Sequence, residues 1–382
     1  MEYKKYKLKE LLTIKNGKDH KQLPEGDYPV YGSGGYMRSV NSFLYDRTSI
    51  LLPRKGTLSN IQYVSGNPFW TVDTIYYTVL NEILYDSYYL FLYLNAFDLS
   101  GYDSGASIPS MTSKTYYSLN VELPQKKIQA KVANIIRAYD NLIENNNKRI
   151  KLLEQMTESL YKEWFVRFRF PGYEDVEFID GFPKDWEKVK LDDVLNKMAT
   201  GLNPRKNFVL GEGGNFYVTI KNMADNTVYL DDKCAKVNDD AIIKINKRSD
   251  LKIGDLLFSG IGTIGRVCLI DIPTNNWNIS ESVFTMRANK KISSEFLYML
   301  LLSQDVQNYC QSKANGSAQK GIRMGDLRKY TFLLPTKNVI NDFTNQISPI
   351  LRNVSLLRNE NKNLIQQRDM LLPRLMSGKL EV

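Results

Sequence analysis

The stretch QKKIQAKVANIIRAYDNLIENNNKRIKLLEQMTESLYKEWFVR, Gln125 to Arg167, carries apolar residues at alternating steps of three and four. One edge reads Ile136, Ile143, Ile150, Thr157 and Trp164; the other reads Val132, Tyr139, Asn146, Leu153 and Leu160. Sustained over several heptads, this spacing marks a coiled-coil seam rather than the single stripe of a surface helix. It returns near the C-terminus, where Ile347, Val354, Asn361, Arg368 and Leu375 run beside Phe343, Ile350, Leu357, Leu364 and Leu371. A helix of roughly 40 residues is about 60 Å long, a rod able to hold two bodies apart. Asn146 and Asn361 fall on the seam, where they either fix register or are tolerated near a solvated middle. Ile128, Ile135, Leu142 and Met156 flank it, and this surface either packs on the chain's own modules or docks a partner.

Outward from the helices, the chain is written twice. Tyr3-Lys-Lys-Tyr-Lys-Leu8 aligns with Trp186-Glu-Lys-Val-Lys-Leu191, and Arg54-Lys-Gly-Thr57 with Gly260-Ile-Gly-Thr263. Gly105-Ala-Ser107 aligns with Gly316-Ser-Ala318, and Leu119-Asn-Val-Glu-Leu-Pro124 with Tyr330-Thr-Phe-Leu-Leu-Pro335. The expected organisation is a module over residues 1–124, a long helix over 125–168, a polar linker over 169–185, a second and larger module over 186–335, and a second long helix over 336–377. The second module owes its size to an insertion before its glycine-rich stretch.

Short apolar runs bounded by glycine and proline predict strands at Ser49–Pro53, Ile61–Val64 and Thr74–Val79 in the first module. The second repeats them at Asp255–Phe258, Arg266–Ile270 and Val283–Met286, with an additional strand at Phe216–Ile220. Helices are expected over Asp86–Phe97 and from Ser294 to Tyr309. The fold class is therefore mixed α/β. Pro124 and Pro335 stand where helices begin, which proline tolerates. Pro349 should kink the second long helix or mark its start, and Pro373 should stop or bend it.

Hydrophobic residues make up 43% of the 382 residues and the net charge is +9, a folded protein with room for a polyanionic partner. No apolar run is long enough to span a bilayer and the start lacks a signal-peptide core, so a cytoplasmic location is expected. Cys234, Cys268 and Cys310 make no metal spacing or disulfide framework and read as core residues. The single histidine, His20, lacks partners for a zinc site or a triad and reads as a solvated loop residue.

Gly260-Ile-Gly-Thr-Ile-Gly265 spells the dinucleotide fingerprint, but Arg266-Val-Cys-Leu-Ile270 has strand composition where the fingerprint needs a helix. A tight turn between strands is the better account. Its amides, with Arg54, Lys55, Thr57, Thr263 and Arg266 beside them, could contact a phosphate backbone. Tyr31-Gly-Ser-Gly-Gly-Tyr36 has no P-loop ending and reads as a flexible loop. Asn67-Pro-Phe-Trp70 lacks the second proline of amino-methyltransferase motifs. The polar stretches carrying Ser107, Ser110, Thr112, Ser113 and Lys114 in one half, and Ser317, Gln319, Lys320 and Arg323 in the other, suit phosphate and base-edge hydrogen bonds; solvated loops are the alternative.

Two modules each followed by a long helix, joined through Arg169-Phe-Pro-Gly172, with Gly254-Asp-Leu-Leu-Phe-Ser-Gly-Ile-Gly-Thr-Ile-Gly-Arg266, Gly316-Ser-Ala-Gln-Lys-Gly-Ile322 and Leu371-Leu-Pro-Arg-Leu-Met-Ser-Gly378, closely resemble the specificity subunit of type I restriction-modification enzymes. The resemblance covers essentially the whole chain. It implies two target recognition domains, each reading one half of a bipartite, asymmetric site on double-stranded DNA. They are separated by an antiparallel coiled coil that sets the spacer, with an approximate two-fold relation between the halves. It further implies no catalysis and no cofactor in this chain, S-adenosylmethionine being held by the partners. Those partners are two methyltransferase (modification) subunits and the restriction subunits, with no membrane involved. Lys55-Gly-Thr-Leu-Ser59 departs from the family's glycine turn. Features shared by both halves cannot distinguish two half-sites, so reading is expected where the halves differ: Tyr36 to Arg38 and Ser110 to Lys114 in the first; Asn203, Arg205, Lys206, Asn222 and Gln319 to Arg323 in the second. Two rival readings remain, a methyltransferase with a divergent motif and a scaffold that never touches DNA.

Overall fold

The computed structural model describes residues 3–97, 99, 102, 109–314 and 320–381. The chain divides into two compact units, residues 1–146 with 360–382, and residues 147–359. Each holds one module and parts of both long helices.

In the first unit the strands are β1 (Tyr3–Lys7), β2 (Leu12–Asn16), β3 (Tyr28–Gly32), β4 (Gly35–Val40), β5 (Ser49–Pro53), β6 (Gln62–Val64), β7 (Trp70–Thr71), β8 (Ile75–Leu80) and β9 (Asn120–Pro124). They form a four-stranded sheet in the order β2-β8-β5-β6, a three-stranded sheet β4-β3-β7 and the pair β1-β9. Every residue of β5 is buried, as expected of a central strand covered on both faces. Tyr31 to Tyr36, expected as a flexible loop, is a tight hairpin joining β3 to β4. Gly35 allows it, since its φ of +113° is open to glycine alone.

The second unit opens with the hairpin β10 (Phe178–Ile179) and β11 (Phe182–Pro183), then β12 (Glu187–Lys190), β13 (Leu195–Thr200), β14 (Asn215–Val218), β15 (Met223–Ala224) and β16 (Thr227–Val228). It continues through β17 (Ala235–Val237), β18 (Leu256–Ser259), β19 (Val267–Leu269), β20 (Trp277–Ile279), β21 (Val283–Ala288) and β22 (Thr331–Leu334). The sheets repeat the first unit strand for strand: β13-β21-β18-β19, β17-β14-β20 and β12-β22. Even the parallel pairing of β3 with β7 recurs in β14 with β20. The insertion lies at residues 219–234, which carry β15 and β16, and at the helix Asp239–Ser249.

Gly17 and Gly201 occupy matching places where β2 and β13 leave one sheet for the other. A Cβ on Gly17 would stand 2.0 Å from the Val72 carbonyl oxygen, and one on Gly201 would stand 1.6 Å from that of Ile279. Only glycine permits either crossing. The segment Ser294–Tyr309 differs from the single helix expected. Ser303 takes an extended conformation and its hydroxyl caps a new helix by accepting from the Val306 amide, so the chain forms Ser294–Leu302 and Gln304–Lys313.

The long helices span Lys126–Tyr161, continued by a π-helical turn Lys162–Val166, and Lys337–Met376. The second neither starts at Pro349 nor stops at Pro373, which leaves a kink or bend as the part of the expectation that an unbroken helix allows. Packing along its seam offsets the roughly 3 kcal/mol that a helix-interior proline costs. No predicted seam residue on either helix is exposed. In the first unit Arg368 Nη1 lies 2.7 Å from Asp140 Oδ1 and Asn146 Nδ2 donates to Asn361 Oδ1 at 3.0 Å, so the helices run antiparallel. Asn146 and Asn361 are 1% and 7% exposed and satisfy one another, which supports the register reading over the solvated one. In the second unit Arg358 and Glu154, 2.6 Å apart, continue the antiparallel pairing.

Each unit's core embraces its helix ends. Val132, Ile136 and Leu375 join Leu8, Ile50 and Tyr116 in the first; Trp164, Phe343 and Ile347 join Leu191, Phe258 and Phe296 in the second. Burial of each such side chain is worth about 1.5–3 kcal/mol. Of the flanking apolar residues, Ile128 and Ile135 pack on the first core, whereas Leu142 and Met156 are exposed. The linker is folded too, with Phe170 stacked on Trp186 at 5.3 Å. All three cysteines are buried and free, as expected of core residues. Among the described residues no helix is long and apolar enough to cross a membrane.

Candidate nucleic-acid interface

The glycine turns and the polar loops, far apart in sequence, meet in each module through the same backbone bonds. In the first, the Met111 amide donates to the Arg54 carbonyl at 3.0 Å and the Gly56 amide to the Pro109 carbonyl at 2.9 Å, with Lys55 bridged to Ser110. In the second, Ile322 donates to Gly260 and Gly262 to Lys320, both at 2.8 Å, with Ile261 bridged to Gly321. Strands β18 and β19 pair antiparallel on either side of Gly260–Gly265, so the fingerprint lookalike is an inter-strand turn. Its amides were expected to be available to phosphate. For part of the turn the structure corrects this: the amides of Gly260, Gly262 and Gly265 donate to Ser282, Lys320 and Ser259, and those of Arg54, Lys55 and Gly56 are likewise engaged. A donor already bonded inside the protein cannot also hold a phosphate.

Arg266 is a strut as well. Its guanidinium donates to the carbonyls of Ile220, at 3.0 Å, and Met223. At the aligned position of the first module, Asn60 Nδ2 donates to the Ser33 carbonyl at 2.7 Å. Both tie the turn to the loop that follows β3 or β14. Arg54 lies 5.8 Å over the Tyr76 ring and reaches the Asp73 carbonyl at 3.5 Å. Lys55, Thr57, Thr263 and Lys320 are exposed at the rim. Thr112 caps the short helix Ser113–Ser118 by accepting from the Thr115 amide at 3.1 Å, and Ser113 and Lys114 open that helix. Arg323 stands exposed before the matching helix Met324–Arg328. Ser107, Ser317 and Gln319 lie outside the described residues.

The divergent loops present different chemistry. Tyr36 and Met37, on the β3–β4 hairpin, are 63% and 53% exposed, while Arg38 is turned back to the Leu23 carbonyl. Arg205 and Lys206 are exposed. Beside them Asn203 Nδ2 donates to Glu281 Oε1 at 2.6 Å, and Tyr217 donates to the other Glu281 oxygen at 3.2 Å. Burial, reinforced by that carboxylate, raises the Tyr217 phenol. Asn222 is buried and its Oδ1 accepts from the Thr219 amide and hydroxyl at 3.0 Å, shaping a turn. Asn222 and Arg266 are thus spent on structure and leave the candidate surface.

The first module also has a cleft of about 680 Å³ between the segment at Asp19–Lys21, the turn Gly32–Met37 and residues 72–74. His20, read from sequence as solvated, borders it half-buried with Nδ1 enclosed and unpartnered. Ser33, Asp73 and Thr74, which carry no signature in the sequence, line it too, brought near His20 by the β3–β7 pairing and the Lys18–Thr71 bond. Among the described residues no group of His, Cys, Asp and Glu could hold a metal ion. Asn67-Pro-Phe-Trp70 serves packing: Phe69 is buried against Tyr45, and Trp70 Nε1 donates to the Lys18 carbonyl at 2.9 Å.

Comparison with known proteins follows the same lines. The chain is 24% identical over 387 residues to the HindI specificity subunit of Haemophilus influenzae, covering 83% of this chain and 81% of that protein. It is 23% identical over 301 residues to the MjaIX specificity subunit of Methanocaldococcus jannaschii, covering 75% of this chain and 65% of the relative. The fold matches the crystal structure of a type I restriction-modification S subunit from M. genitalium with a TM-score of 0.65 at 14% identity, over 98% of this chain and 96% of that one. The family model described as the type I restriction modification DNA specificity domain matches residues 1–155 and again 183–367, and the chain belongs to that family.

Proposed function

We propose that this chain is the DNA-reading subunit of a type I restriction-modification complex, each module reading one half of a bipartite, asymmetric site on duplex DNA. One observation carries the reading: a single backbone frame is built twice and presents different side chains each time. Common elements cannot tell two half-sites apart, so specificity falls to Tyr36, Ser110, Thr112, Ser113, Lys114, Asn203, Arg205, Lys206 and Arg323. Lys55, Lys320 and their neighbours at the rim serve phosphate contact. The paired helices set the interval between half-sites and help dock two methyltransferase subunits, whose S-adenosylmethionine supplies the methyl group; restriction subunits join that assembly. The chain itself performs no chemistry.

Reconstitution with modification subunits tests this. Sequence-specific duplex binding that weakens steeply with salt is expected, and methyl transfer by the chain alone would overturn it. Arg323→Ala should relax a single half-site by about 1–3 kcal/mol if the guanidinium reads a base. A uniform loss over all sequences would make Arg323 a phosphate contact instead.

A further inference from the structure

The segment Lys18 to Leu23 is fixed at both ends. The Lys18 amide donates to the Thr71 carbonyl at 2.8 Å, Trp70 holds the Lys18 carbonyl at 2.9 Å, and Arg38 holds that of Leu23. A loop held this way is a preorganised wall. It lines the cleft of about 680 Å³ in the first module. His20 Nδ1 is one of five enclosed side-chain polar atoms without a partner among the described residues. Such atoms are nearly always satisfied, so an exception bordering an open cleft points to a partner that arrives from outside, met by a turn of the ring.

The charges at the rim identify its chemistry. Asp19 and Asp73 are exposed carboxylates lining the same cleft, with the exposed Lys21 as the single cation among the lining residues. The Lys21 amide, donating to Asp19 Oδ1 at 3.1 Å, holds that carboxyl below its ordinary range and so ionised. The two carboxylates outnumber the one lysine, so the cleft favours a hydrogen-bond donor over a phosphate. Cytosine N4 and adenine N6, in contrast, present N–H donors in the major groove that a carboxylate or a ring nitrogen accepts. The bare edge of Gly34, with no atom within 4 Å of its missing Cβ, leaves room for a base pair to approach.

We infer that this cleft reads the first module's half-site by accepting an exocyclic amine of cytosine or adenine, with His20 and Asp73 as specificity-determining residues. The inference rests on the proposed DNA-reading function and names its groups. To test it, His20→Ala and Asp73→Asn are placed separately in the full chain, assembled with the modification subunits, and the methylated motif is sequenced. Discrimination at one position of one half-site should fall about tenfold, with the other half-site unchanged. An unaltered motif, or equal loss in both half-sites, would overturn the inference. His20→Gln, which keeps a donor and an acceptor, guards against a folding artefact: with an unchanged melting temperature it should alter the preferred base at that same position. If the unmutated complex methylates without sequence preference, it is the broader reading that fails.

Discussion

The first module joins β3 to β4 across a two-residue turn, whereas the second joins the equivalent β14 and β17 through residues 219–234. Around that difference the frames coincide: the same sheet orders, the same clasp between turn and loop, and the same glycine crossing at Gly17 and Gly201. Backbone hydrogen bonds carry the frame, so its side chains can change, as Asn60 and Arg266 show by doing one job with different groups. A fold built this way can vary its reading loops without rebuilding its core.

The equivalence of the frames can be broken most forcefully at the crossings. Gly17→Ala and Gly201→Ala should each destabilise their own unit by about 3 kcal/mol, the upper end for overpacking, because the new methyl meets a backbone carbonyl that cannot move aside. Urea unfolding of each variant checks this, and a large cost in one module with none in the other would show that the frames differ. At the struts a contrast is expected. Arg266→Ala removes charge-assisted bonds to two carbonyls and should cost about 1.5–3 kcal/mol, against about 0.5–1.5 kcal/mol for the neutral bond lost in Asn60→Ala. Neither change should alter the salt dependence of duplex binding.

The smallest effect belongs to the thiols, all three in the second module. Burial pushes Cys268 and Cys310 up to about 12 and Cys234 up to about 11, from an ordinary value of 9.0. The unfolded chain therefore ionises first. Stability from these groups is complete below about pH 9 and is lost as pH rises toward 11 to 12. Thiol labelling at pH 8 should be negligible until the second unit unfolds; rapid labelling of the folded protein would contradict the burial.

Much of this architecture was legible in the sequence, for reasons particular residues make plain. The heptads of Ile136 and Ile347 are local and periodic, and their seam is intact along both helices. The alignment of Arg54 with Gly260 located the clasp without revealing that it is one, since Met111 and Ile322 come from distant segments. Pro349 does not begin its helix, because seam packing, a tertiary term invisible to local propensity, carries the helix through it. His20 misled because a lone polar residue among polar neighbours gives no sign of enclosure. Asn222 looked like a reader and Arg266 like a phosphate contact, since nothing in composition separates a side chain facing solvent from one bonded to nearby backbone.

If divergent loops on a common frame read separate half-sites, each module can be altered alone. Sequencing the motif methylated by complexes carrying Tyr36→Ala, or Arg205→Ala with Lys206→Ala, tests it most directly. The first variant should change one half of the motif and the second the other, with the spacer preserved in both. A variant that altered both halves together, or a pair that altered the same half, would contradict it.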